Sequence, residues 1–280
     1  MTSEWNNLLL LVGDALIYFA ALAALFRVRR RLGIGSFFCA LGVMHFIETY
    51  LASVFYVSLP LGIVTSPGSS VLFTGKLMLL LLVYIREDAV VVRQPIYGLL
   101  FGNLLMVALA TLMRHHDLIV LAPGHAVDFG FIDQIGALMV WGTVLLFADC
   151  IMLILLYERS RAWFADSIFL RLGLSGAAVL TFDQLFFYAG LHLLTAAPPS
   201  VLVGGWLAKM LSVSLYAVLV GAYLCWCERP NAKRRSAPRI SDVFDTLTYR
   251  ERYEDLLART GRDALTGAFT AAGWRPKAAA

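Results

Sequence analysis

The chain has 280 residues, of which 60% are hydrophobic and 15% charged, with a formal net charge of +4 and a mean hydropathy of +0.75. Ordinary soluble domains carry about a quarter of their residues as charged groups, so this composition excludes one and indicates an integral membrane protein. The small positive charge lies in short loops between apolar runs, where it meets anionic lipid, and nucleic acid is not an expected partner.

In lipid every backbone N–H and C=O must be satisfied within its own segment, so an apolar run of about 20 residues folds as a spanning helix. Seven runs qualify: Asn7 to Phe26, Ile34 to Leu59, Ser70 to Ile85, Pro95 to Met113, Gln134 to Tyr157, Ile168 to Leu194 and Val201 to Trp226. The first is an anchor and not a cleaved leader, because its flank "MTSEWNN" is acidic and its positive cluster follows it. The third is short unless it begins in the Pro67 loop. Basic clusters at Arg27 to Arg31, Arg86 to Gln94, Tyr157 to Trp163 and Cys227 to Arg239 all follow odd-numbered runs, whereas the opposite loops hold only Arg114. By the positive-inside rule the N-terminus is outside and the C-terminus cytoplasmic. The expected fold class is therefore all-α, with a seven-helix transmembrane domain over 1–228.

Cys39, Cys150, Cys225 and Cys227 lie in spans or at their cytoplasmic ends, so no extracellular pair is available to oxidise. Cys225-x-Cys227 is too closely spaced for a zinc pair; these cysteines are expected to face lipid or pack, with palmitoylation of Cys227 as the alternative. The outer loop "RHHDLIVLAPGHAVDFGFID" holds His115, His116, Asp117, His125 and Asp128. It is expected to be solvated, or a lid over an outward pocket, and neither metal nor cofactor is anticipated.

After Trp226, "ERPNAKRRSAPR" has the prolines and charge of a linker, assigned to 229–239. Residues 240–262 predict a cytoplasmic helix. Its apolar residues fall at 240, 243 and 247 and resume out of phase at 249, 253 and 256, a stutter suited to a homodimeric signalling helix. The following "RDALTGAFT" resembles the opening of the GGDEF diguanylate cyclase domain through Asp263, Leu265, Thr266 and Gly267. It departs from that opening at Ala268, Thr270, Ala271 and Ala272. The resemblance implies an input module of a bacterial inner-membrane signalling protein of the cyclic di-GMP type, dimeric because cyclase domains act in pairs. Residues 263–280 are too few for a catalytic domain and lack the GGDEF loop, so no enzyme activity is expected of this chain; its low-complexity end resembles a truncation scar, a frame-shifted tail or a remnant of cloning.

Ionisable residues in or near the spans are Asp14, His45, Glu48, Lys76, Asp149, Asp183, His192 and Lys209. At bilayer depth such groups face a cavity or a partner. Two acids and two lysines recur in order: Glu48 and Lys76, then Asp183 and Lys209, separated by 28 and 26 residues and each pair spanning a proline-bearing outer loop. That order is a candidate internal repeat with its ligand between the halves, although lysines near outer helix ends also snorkel.

The stretch Thr181 to Leu219, an Asp183-Gln184 pair followed by a proline loop and a small-residue, aromatic and lysine run, resembles the C-terminal half of the queuosine-precursor transporter (VUT) family. The resemblance implies a planar, nucleobase-like ligand and carries Asp183, Gln184 and Lys209 over as binding candidates. Trp206, Glu48, Lys76, His45 and Tyr188 complete the candidate set on chemical grounds, as a mixture of stacking faces and few polar fixings. The alternatives are a transporter with the same pocket and, more remotely, a retinal protein. The latter is disfavoured by Gly205 one turn before Lys209 and by "KLMLLLLVYIRED" in span three.

Overall fold

Each apolar run folds as a helix. In the computed structural model, residues 2–87, 89–113, 115–116, 129–164 and 167–227 are described. The elements are α1 (Thr2–Arg27), α2 (Arg29–Leu32), α3 (Gly35–Val54), β1 (Val57–Leu59), β2 (Ile63–Thr65), α4 (Phe73–Arg86), α5 (Ala89–Met113), α6 (Phe129–Ser160), α7 (Ile168–Thr195) and α8 (Pro199–Trp226). Seven helices among these are long and apolar enough to cross a membrane, in keeping with the expected class. The basic linker, the expected helix over 240–262, residues 263–280 and most of the His115–Asp128 loop lie outside the described residues.

The second run stops being helical at Val54, short of the expected Leu59. β-Branched Val57, Ile63, Val64 and Thr65 form a hairpin instead, in register Val57↔Thr65 and Leu59↔Ile63. Pro60 ends β1, and the chain reverses through left-handed Leu61 (φ 69°) and Gly62 (φ 74°). The hairpin is tied to α1 by Asn7, whose Nδ2 donates to the Ser58 carbonyl at 2.9 Å. It rests on α8 at Gly204, where the Val64 backbone occupies the space a Cβ would need.

A π-helical turn, Gly68–Leu72, extends α4 back into the Pro67 loop, and Gly68 lets it press on the backbone of α3 at Glu48 and Ala52. α5 starts six residues before the expected Pro95 and carries that proline inside it. Neighbouring helices can accommodate the lost backbone bond in a membrane helix. α7 is capped by Ser167, whose Oγ accepts from Leu170 N–H. It ends at left-handed Ala196, and α8 opens with Pro199 in its first turn.

α4 is the hub. Its residues from Thr74 to Tyr84 are all buried, and it packs against α1, α3, α5, α6, α7 and α8. A helix apolar all round is suited to that position. At its basic end Arg86 donates to the Leu224 carbonyl at 3.0 Å, and Tyr84 to Glu158 Oε1 at 3.1 Å. Arg29 pairs with Glu87 while stacking 3.9 Å from the Phe26 ring centroid. The C-terminal ends of α1, α4 and α8 thus gather on one side of the bundle, and the hairpin lies at the other.

Candidate functional site

On α3 the buried stripe runs Phe37, Leu41, His45, Glu48 and Ala52, spaced so that one helix face meets the bundle. Its two polar members meet Lys76 of α4. The Lys76 ammonium, fully buried, donates to Glu48 Oε1 at 2.7 Å and to His45 Nδ1 at 2.8 Å. An imidazolium so close to an ammonium would repel it, so the ring is neutral. Nε2 lies 2.8 Å from the side-chain amide of Asn103, which also sits 2.7 Å from Thr143 Oγ1. One atom of the amide makes both contacts: Asn103 Nδ2 donates to Thr143 Oγ1, whose own hydroxyl donates to the Met139 carbonyl at 2.6 Å.

The second pair joins α7 to α8. Lys209 Nζ donates to Asp183 Oδ2 at 2.5 Å, and both residues are buried. Phe73, at the start of α4, stands between the two ammonium groups: its ring centroid is 4.8 Å from Lys76 Nζ and 5.6 Å from Lys209 Nζ. Phe187 approaches Lys209 at 5.6 Å from the other side. Aromatic faces stabilise cations by about 0.5–2 kcal/mol, so the rings help hold both lysines within the apolar interior.

Between the pairs is a cavity of about 50 Å³, measured as space for the centres of water-sized molecules. Its polar wall is His45, Glu48, Asn103, Thr143, Asp183 and Lys209, and its aromatic faces are Phe73 and Phe187. Glu48 Oε2 has no hydrogen-bond partner, leaving one carboxylate oxygen free to accept. Ser53 and Ser69 at the cavity edge place it in the half of the bundle that carries the hairpin.

Four of the eight candidates, His45, Glu48, Asp183 and Lys209, therefore line one space, and Lys76 stands directly behind Glu48. Gln184 points elsewhere. Its Nε2 lies 3.2 Å from the carbonyls of both Val201 and Leu202, and its amide packs on Gly205. With Tyr188 it lines a smaller neighbouring pocket; the Tyr188 hydroxyl donates to the Ala197 carbonyl at 3.3 Å. Trp206 is 39% exposed on the outside of α8, donating to Thr181 Oγ1 at 3.0 Å, away from the cavity. Asn103, Thr143 and Phe73 were not anticipated. Asn103 was the most accessible of them, as a lone amide within an apolar span.

A family model described as a vitamin uptake-like sensor matches residues 19–224. The chain belongs to the vitamin uptake-like sensor family. No curated protein and no solved structure matches it. The matched stretch begins within α1, ends within α8 and contains both acid–lysine pairs and the cavity between them. Membership of the vitamin uptake-like sensor family favours a membrane module that senses a small molecule, non-enzymatic in itself. Among the described residues no cluster of histidine, cysteine and carboxylate side chains is arranged for a metal.

Proposed function

We propose that the cavity binds a small planar, nucleobase-like molecule and that the membrane domain is the input module of a diguanylate cyclase-type signalling protein. The observation that carries this reading is the convergence of Glu48, Asp183, Lys209 and Asn103 on one space bounded by Phe73 and Phe187. A free carboxylate oxygen on Glu48, an amide and a cation around two aromatic faces are what a heterocycle with polar edges requires. The volume is in keeping: at about 10–15 Å³ of centre space per water, the cavity holds about four waters, or about 120 Å³ of liquid, the size of a one- or two-ring heterocycle. The cyclase connection rests on the resemblance at Asp263, Leu265, Thr266 and Gly267, and dimerisation on the expected helix over 240–262.

The test uses the purified chain in lipid nanodiscs with guanine, 7-deazaguanine and adenine, and with indole as an apolar control. At least one base is expected to raise the melting temperature saturably, indole not to do so, and Asp183→Asn to remove the response. Absence of any response to the bases, or an equal response in Asp183→Asn, would overturn the ligand assignment. Accumulation of a bound base inside proteoliposomes would instead favour transport. Fusion of a complete cyclase domain after Gly267 is expected to make cyclic di-GMP output depend on the base, and insertions near Thr248 to alter it with helical periodicity.

A further inference from the structure

The ion pairs leave one intramembrane carboxylate unaccounted for. Asp149 lies on α6 seven residues after Gly142, on the cavity-lining face and two helical turns closer to the basic end. It is fully buried, and neither of its oxygens meets a hydrogen-bond donor. The Asp183 carboxylate of α7 stands against it, and the Lys209 ammonium of α8 and the Lys76 ammonium of α4 lie within electrostatic reach. On α6 itself the neighbouring titratable group is Cys150. From α3, Glu48 and His45 are both engaged by Lys76. On α5, Asn103 is uncharged, and Arg93 and Tyr97 lie towards the basic end, Tyr97 packing on the Phe147 ring at 6.0 Å.

The charges then do not balance. Glu48, Asp149 and Asp183 supply three carboxylates, Lys76 and Lys209 two ammonium groups, and His45 is neutral because its Nδ1 accepts from Lys76. A lone negative charge in the apolar interior is far costlier than a neutral carboxyl, and two carboxyl groups in contact cannot both be ionised at little cost. Glu48 and Asp183 each accept from an ammonium; Asp149 does not.

We infer that Asp149 is a proton-binding site: it carries one proton, donated to Asp183, and is the second seat for the Lys209 ammonium whenever Asp183 is otherwise engaged. Lys209 leaves Asp183 for Asp149, the Asp149 proton passes to water, and the total charge of the three side chains falls by one. If the base of the proposed function engages Asp183, ligand binding would release a proton and move α8 relative to α6.

Infrared spectroscopy of the full chain in nanodiscs tests the site without any ligand. A protonated-carboxyl C=O band that shifts in D2O is expected at neutral pH, present in the unaltered chain and absent in Asp149→Asn. Asp183→Asn is expected to lose the band as well, because Lys209 then pairs with Asp149 and ionises it. Should Asp183→Asn not fold, Lys209→Gln supplies the same test by the opposite sign, keeping the Asp149 band and adding a second from Asp183. Spectra of the unaltered chain and Asp149→Asn that coincide would overturn the proton site, and a band that persists in Asp183→Asn would overturn the exchange. Neither outcome depends on whether a base binds.

Discussion

The α3–α4 and α7–α8 hairpins carry the same acid-then-lysine order, yet they close differently. Lys76 is sealed off behind the cavity, shared between Glu48 and His45 at 2.7 and 2.8 Å. Lys209 reaches the cavity surface and holds Asp183, which also has Asp149 against it. The first pair is a fixed structural clamp around the hub helix; the second has an alternative arrangement available. A ligand can shift an equilibrium only through a difference in affinity for two states, so the response is expected to come from the α7–α8 side.

Breaking the clamp is the most damaging test of this contrast. Lys76→Met leaves the Glu48 carboxylate buried without its ammonium and is expected to cost about 3–5 kcal/mol, measured by reversible unfolding in mixed micelles. Adding Glu48→Gln to it should recover most of the loss. Asp183→Asn is expected to cost less, about 1–3 kcal/mol, because Asp149 can receive Lys209, while base binding in nanodiscs is lost. Equal destabilisation by the two variants would erase the distinction between the hairpins.

Gly204→Ala probes the hairpin's seat on α8, where an added methyl meets the Val64 backbone; about 1–3 kcal/mol of destabilisation is expected from overpacking. Phe73→Leu keeps the bulk but removes the aromatic face shared by the two ammonium groups, for about 1–2 kcal/mol and weaker base binding in the thermal-shift titration. Smallest of all, Trp206→Phe removes one exposed hydrogen bond, for about 1 kcal/mol or less, and base titration should give an unchanged midpoint because the indole lies outside the cavity.

How far the sequence reached depended on which physical signal survives in a membrane. The spans were legible because backbone satisfaction in lipid demands long uninterrupted apolar runs, and the gathering of basic residues at one end was legible from their loops. Glu48, Asp183 and the two lysines announced themselves by cost alone, since an ionisable group at that depth needs a reason. Their equal order along two hairpins indicated a relation between them before any contact was visible.

Helix rotation was decided only by tertiary packing. In a soluble helix the polar face marks the outside, but lipid and protein interior are both apolar, and the sequence of a span says little about which side turns inward. Trp206 and Gln184 therefore took positions on α8 and α7 that adjacency to Lys209 and Asp183 did not indicate. Asn103, Thr143 and Phe73 came from three other helices to complete the cavity, and Asp149 became the carboxyl without an ammonium partner only because α6 presents it to a carboxylate that already holds a lysine. Composition and charge order alone determined that this chain has seven runs long and apolar enough to cross a membrane, with the acids and lysines of both pairs in or beside them. Which of those charges share a space, and which is left needing a proton, followed from the packing of α4 among six neighbours, because burial on every side is what brings the two pairs together.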